Sequence, residues 1–156
     1  MCDRGIRRRA HAGEQGPGAR AVGLEVAIEA ALKEAEIGPE KIDAIVPQGA
    51  GHRHADATEE AALRRVFGDR LRDIPLVTVT PQIGTLAAGA GAIGVCVGAK
   101  CLEQQKLPAR LHAGTPVDGL DAGAADARDA DLEYVLVCTG AIGGQNAAIV
   151  LKRSAG

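Results

Sequence analysis

Aromatic side chains are almost absent from this chain, which has one Phe (Phe67), one Tyr (Tyr134) and no Trp in 156 residues. Its core must therefore be built from Ala, Val, Leu and Ile. Small aliphatics pack tightly only where backbones come close, as helices do on a sheet through Ala and Gly faces. That favours an α/β fold. An excess of charge is missing too: 18 basic and 20 acidic residues leave a net charge of −2 and a pI near 6.1, with no global field to hold nucleic acid or an anionic membrane. The basic cluster Arg4, Arg7, Arg8 and Arg9 has no aromatics interleaved, and it reads as a solvated tail more readily than as a polyanion contact. Every apolar run is interrupted by Gly or charge before it reaches bilayer length, and no basic region followed by an apolar leader opens the chain. Neither nucleic acid nor membrane is an expected partner, and a cytoplasmic location is expected.

Four cysteines are present, and Cys96, Cys101 and Cys138 lie inside apolar runs, so buried reduced thiols are expected in place of a disulfide framework. Residues 1–18 show neither helical nor strand periodicity and are expected to be a disordered or irregular lead-in, with a single domain over 19–156. From Ala19 apolar residues recur at helical spacing until Gly38-Pro39 stops them, and "KIDAIVPQG" reads as a short strand running into a loop. Asp56, with Glu59 three residues on, has the spacing of an N-cap and capping box for a helix that reaches Phe67 and ends at Gly68. "IPLVTVT" reads as a buried strand, and "TLAAGAGAIGVCVGAKCLEQQK" as a long helix apolar nearly all round and hence central. After Pro108 comes a further extended segment, then an acidic Ala/Gly-rich surface loop. Two closing strands, "LEYVLVCTG" and "NAAIVLKR", are joined by the turn "GAIGGQ". This order predicts an α/β fold with a mixed sheet of roughly five strands and helices packed on it.

Chemistry-bearing clusters are few. "GHRHAD" places His52, His54 and Asp56 close together, but His-x-His-x-Asp on a loop is too short to specify a metal; it reads as a polar surface loop, with contact to a partner's channel as the lesser reading. The turn "GAIGGQN" lies between strands and not at a helix N-terminus, which speaks against a dinucleotide cradle. No metal and no cofactor are expected. His11 and His112 stand without companions and read as structural or exposed.

The run from "EAALKEAEIGPEKIDAIVPQGAGHRHADATEEAALRRVFGDR" through "IPLVTVTPQIGTLAAGAGA", "LPARL" and "GGQNAAIVL" resembles the C-terminal half of the β-ketoacyl-acyl carrier protein synthases of the thiolase superfamily. The resemblance covers roughly Ala19 to Arg153. It implies a thiolase-like half in which two His residues and a Lys serve decarboxylation and condensation, while the nucleophilic Cys belongs to an N-terminal half that this chain does not match. In place of the family's first His, opening a His-Gly-Thr-Gly-Thr loop, stands Gln48 of "QGAGH", with His52 at the last Thr; Asp56, Glu59, Phe67 and Gly68 match the family's loop and helix downstream. In the second motif, Thr-Lys-Ser-x-x-Gly-His, "VTPQIGT" puts Thr80 at the Lys and Thr85 at the His. Near the C-terminus Gly143, Gly144 and Asn146 keep the family's glycine turn, with Ile142 where an acyl-gating Phe usually sits.

None of the catalytic residues is retained, so the resemblance implies an acyltransferase frame without the acyltransferase groups. Gln48 can donate an amide N–H but cannot titrate, and Thr85 is too short to reach where an imidazole nitrogen would lie. Loss of a single such donor costs on the order of 10²–10³ in rate. Replacement of this kind resembles the chain-length factors, inactive partners of ketosynthases in aromatic polyketide assembly, although those often keep the Lys. The expectation is a non-catalytic β-ketoacyl synthase-like protein of fatty acid or polyketide biosynthesis, with Gln48, Thr85, Ile142, Gly143, Gly144 and Asn146 as pocket candidates. Its expected partners are a ketosynthase-type subunit and an acyl carrier protein, in a homo- or hetero-oligomer. Two other readings stand beside it: a structural or regulatory protein with no acyl role, and the second half of an active split synthase. The family's first strand is expected to be absent, and an uncovered sheet edge or apolar face favours association.

Overall fold

A computed structural model describes residues 9–10, 17–116, 119–140 and 144–154; for 9–10 and 17–21 the backbone alone is considered. The elements in chain order are β1 (Arg9–Ala10), α1 (Pro17–Glu34), β2 (Ala44–Val46), α2 (Arg53–Phe67), α3 (Thr80–Ile83), α4 (Ala90–Gln104), β3 (Lys106–Leu107), β4 (Arg128–Asp129), β5 (Tyr134–Gly140) and β6 (Gln145–Lys152). Four strands form a mixed sheet in the order β1-β6-β5-β2, with β5 and β2 parallel and β6 antiparallel to β5 and to β1. The segment 75–77 adds a fifth lane beside β2: Leu76 bridges Ile45 in parallel, and the Val77 N–H donates to the Ile45 carbonyl at 2.8 Å. The α/β architecture read from the sequence is the one observed.

The sheet is covered on both faces because β5 alternates. Leu136 and Cys138 point to one side, where Leu24, Ile28 and Ala31 of α1 and Leu63 and Phe67 of α2 pack; Val135 and Val137 point to the other, against Cys101 and Leu102 of α4. Small residues bring α4 onto the sheet, as the scarcity of aromatics requires. A β-carbon on Gly98 would lie 3.0 Å from Leu151 Cδ1 and 3.2 Å from Val137 Cγ2.

Several expectations are corrected. β1 pairs Arg9 with Asn146 and Ala10 with Gln145, so a short first strand exists inside the expected lead-in; the rest of residues 1–16 and the side chains of the basic cluster lie outside the described residues. Asp56 is not an N-cap: α2 starts a turn earlier after His52, whose carbonyl accepts the Asp56 N–H at 2.9 Å, so Asp56 sits within the first turn. "IPLVTVT" is buried at Ile74, Leu76 and Val77 but does not form a full strand, since Pro75 has no N–H to offer and the chain turns into α3 at Thr80. α4 is not covered all round: Gly94, Gly98, Cys101 and Leu102 are buried while Ala92, Cys96 and Ala99 are exposed. Cys96 is thus an exposed thiol, and Cys101 and Cys138 are the buried ones.

The acidic loop is fastened and not merely solvated. Arg110, a buried charged residue, pairs with the Asp121 carboxylate and also donates to the Asp121 and Leu76 carbonyls. Burial alone would raise the Asp121 carboxyl, but hydrogen bonds and charge from Arg110 and Arg128 outweigh it and hold it below its ordinary value. No helix among the described residues is long and apolar enough to cross a membrane.

Candidate functional site

The end of β2 releases the chain into the loop that carries Gln48, and this loop is shaped by two left-handed glycines, Gly49 (φ +49°) and Gly51 (φ +70°). It is held from below by Glu59 of α2, whose carboxylate oxygens each accept one backbone N–H: Gln48 at 2.8 Å and Gly49 at 3.0 Å. From the side, the Thr80 hydroxyl at the start of α3 donates to the Gln48 carbonyl at 3.1 Å. Two positions that the sequence places 32 residues apart are thereby joined.

The Gln48 side chain lies over the end of β5. A β-carbon on Gly140 would stand 2.9 Å from Gln48 Oε1 and 2.8 Å from Asn146 Oδ1, so glycine leaves room for two carboxamides. Asn146 is set in turn by its own Nδ2, which donates to the Gly144 carbonyl at 3.1 Å, and by Gly23 of α1, where a β-carbon would come within 2.7 Å of that nitrogen. Gln48, Thr80, Gly144 and Asn146 are therefore brought together. Thr85 is not: it follows Gly84 (φ +75°) in the exposed turn 81–88 and does not line the cleft. Ile142 and Gly143 lie outside the described residues.

The cleft between Gln48, Thr80, Ile83, Leu86, Ile93 and Cys138 has, among the described residues, a free volume of about 20 Å³, room for a water. Its chemistry is limited to hydrogen bonding. The Cys138 thiol is pushed well above its ordinary value, by burial first and by the nearby Glu59 charge second, which makes it a poor source of thiolate. Glu59 is raised as well: burial dominates, the Gly49 and Gln48 N–H groups oppose it, and the Asp56 charge adds to it. Asp56 Oδ1 and Thr78 Oγ1 are buried without a hydrogen-bond partner among the described residues. His52 and His54 are exposed at the start of α2, and no group of three metal-ligating side chains occurs among the described residues.

Glu59 is the functional residue that capping-box logic conceals. Its signal lies in the helical stripe: Glu59 precedes the buried Ala62 and Leu63 by three and four positions, so an acid falls on the core face of α2. Gly140 carried no sequence signal, because what requires a glycine there is a pair of side chains from distant strands.

The model of the beta-ketoacyl synthase C-terminal domain matches residues 4–114. The ketoacyl synthase beta subunit of the tetracenomycin polyketide synthase from Streptomyces glaucescens is 31% identical over 136 residues, covering 86% of this chain and 33% of the relative. The 3-oxoacyl-acyl-carrier-protein synthase 2 of Coxiella burnetii is 26% identical over 139 residues, covering 88% of this chain and 34% of the relative. Among solved structures, the ishigamide ketosynthase/chain length factor superposes with a TM-score of 0.83 at 28% identity, covering 95% of this chain and 37% of that one. This chain spans about a third of the length of the curated relatives it matches.

Proposed function

The chain belongs to the beta-ketoacyl synthase family through its C-terminal domain, and from that membership we propose that it is a non-catalytic, chain-length-factor-like protein acting with a catalytic ketosynthase partner in cytoplasmic fatty acid or polyketide biosynthesis. The observation that carries this reading is the make-up of the cleft. Gln48 and Thr80 line it, Thr85 is exposed and does not, and the one thiol among its lining residues is buried and pushed upward. Such a set can hold a carbonyl or an amide but has no group to move a proton near neutral pH.

The partner is argued from what the chain leaves open. Ile83 and Leu86 at the mouth of the cleft are 49% and 40% exposed, and no charged residue occurs from Thr80 to Ala99. A second polypeptide laid on this surface would deepen the cleft into an acyl or polyketide pocket, with a carrier protein delivering the chain to the assembled pair. Residues 19–156 serve as one unit in this role. Co-expression with a ketosynthase-type subunit tests it: the proposal expects co-purification, no acyl label on this chain alone, and malonyl-carrier decarboxylation by the pair that is unchanged by Gln48→Ala. A fall in that activity with Gln48→Ala overturns the non-catalytic reading, and failure to co-purify overturns the partnership.

A further inference from the structure

We propose that Glu59 is a proton-sensitive latch on the loop that carries Gln48. The latch goes beyond the proposed function and does not depend on it. Its geometry is a two-point clamp: Oε1 accepts from Gln48 N and Oε2 from Gly49 N, at 2.8 and 3.0 Å. Both oxygens serve fully as acceptors only while neither carries a proton, since a protonated carboxyl turns one acceptor into a donor.

Two polar groups near the clamp lack a hydrogen-bond partner among the described residues. Asp56, one turn earlier on α2, has a buried oxygen with no partner. Thr78, whose methyl lies 3.9 Å from where a Gly49 β-carbon would be, has a buried hydroxyl oxygen with none. The titratable groups that act on Glu59 are Asp56 from its own helix and Cys138 from β5, both acids. From α1, packed against α2, Glu25 is engaged at the surface with Arg65 at 3.3 Å. Burial among acids favours the proton, so the latch opens above the usual carboxylate range. The loop can respond because Gly49 and Gly51 hinge it. On opening, the loop loses both backbone anchors to α2, and Gln48 is left with the Thr80 hydroxyl bond and its contact over Gly140.

Residue-resolved hydrogen exchange on the full chain, between about pH 4 and pH 8 and corrected for intrinsic rates, reads the latch directly. In the wild type, protection of the Gln48 and Gly49 amides should fall about tenfold or more toward acid, while the Leu136 amide within β5 stays level. Glu59→Gln keeps one acceptor oxygen and replaces the other with an NH2 that cannot accept, so at least one of the two loop amides should be weakly protected, to the same degree at every pH. Asp56→Asn should move the wild-type midpoint to lower pH by removing a neighbouring negative charge. Level wild-type protection, a wild-type pH profile in Glu59→Gln, or an unmoved midpoint in Asp56→Asn overturns the latch. Should Glu59→Gln fail to fold, the midpoint in Asp56→Asn decides alone. Co-purification with a ketosynthase plays no part in this readout.

Discussion

Gln48 rests on Gly140: its Oε1 stands 2.9 Å from the place a β-carbon would take, with Asn146 Oδ1 at 2.8 Å from the same point. This contact joins the loop after β2 to the end of the β5–β6 hairpin. A methyl at Gly140 cannot be accommodated unless both carboxamides move, so Gly140→Ala should cost about 1–3 kcal/mol by overpacking. Chemical denaturation measures the cost, and shifted side-chain amide resonances of Gln48 and Asn146 locate it.

The Arg110–Asp121 pair ties the acidic loop to the segment beside β2. Asp121 is partly exposed and keeps Arg128, so Arg110→Ala should lose about 1–3 kcal/mol, chiefly by leaving the Leu76 carbonyl without the donor that reaches it from Arg110. The pair also sets a pH dependence. Asp121 is held below its ordinary carboxyl value of 3.8 in the folded chain, so its contribution is complete above that value and is lost as pH falls through the lower folded one. An acid titration followed by circular dichroism should show this loss in the wild type and a smaller loss in Arg110→Ala, where Arg128 alone still faces Asp121.

Glu59 works in the opposite sense. Its folded value is raised above 4.5, so the protonated form is favoured by folding; that contribution is complete below 4.5 and is lost as pH rises through the folded value. Thermal melts should therefore show the wild type losing stability relative to Glu59→Gln as pH rises across this window, although the ionised carboxylate is the form that clamps the loop. A stability difference independent of pH would contradict the sign.

The α4 glycines Gly94 and Gly98 leave little room for a side chain. Gly98→Leu drives a side chain into Leu151, Val137 and Val135, all within 3.3 Å of the added β-carbon, and should unfold the sheet's α4 face; Ala99→Leu, one residue on and exposed, should leave the melting temperature within a few degrees. Paired melts of the two variants make the comparison.

Exposed apolar residues at the cleft mouth should make the isolated chain bind a hydrophobic dye or associate with concentration. Ile83→Glu with Leu86→Glu should reduce both without loss of helix signal. A clean monomer with no dye binding in the wild type would contradict the expectation of association.

Much of the fold was legible because its signals are local. The hairpin strands, α1 and α2 can be read from periodicity and from Gly or Pro stops, and the resemblance marked Gln48 and Thr80, which the structure joins through a hydrogen bond. What misled was also local: the spacing of Asp56 and Glu59 imitates a capping box, and the apolar composition of α4 suggests burial on every side.

The sequence by itself determined the class of fold and the order of elements, since composition and periodicity are properties of the chain. Only the tertiary structure decided that Glu59 turns inward to clamp Gln48 and Gly49, that Asn146 and Gln48 share the space over Gly140, that Thr85 stays outside the cleft lining, and that one side of α4 is left bare. Each of these depends on where separate elements come to lie against one another, and burial, hydrogen bonding and charge acquire their values at those meetings.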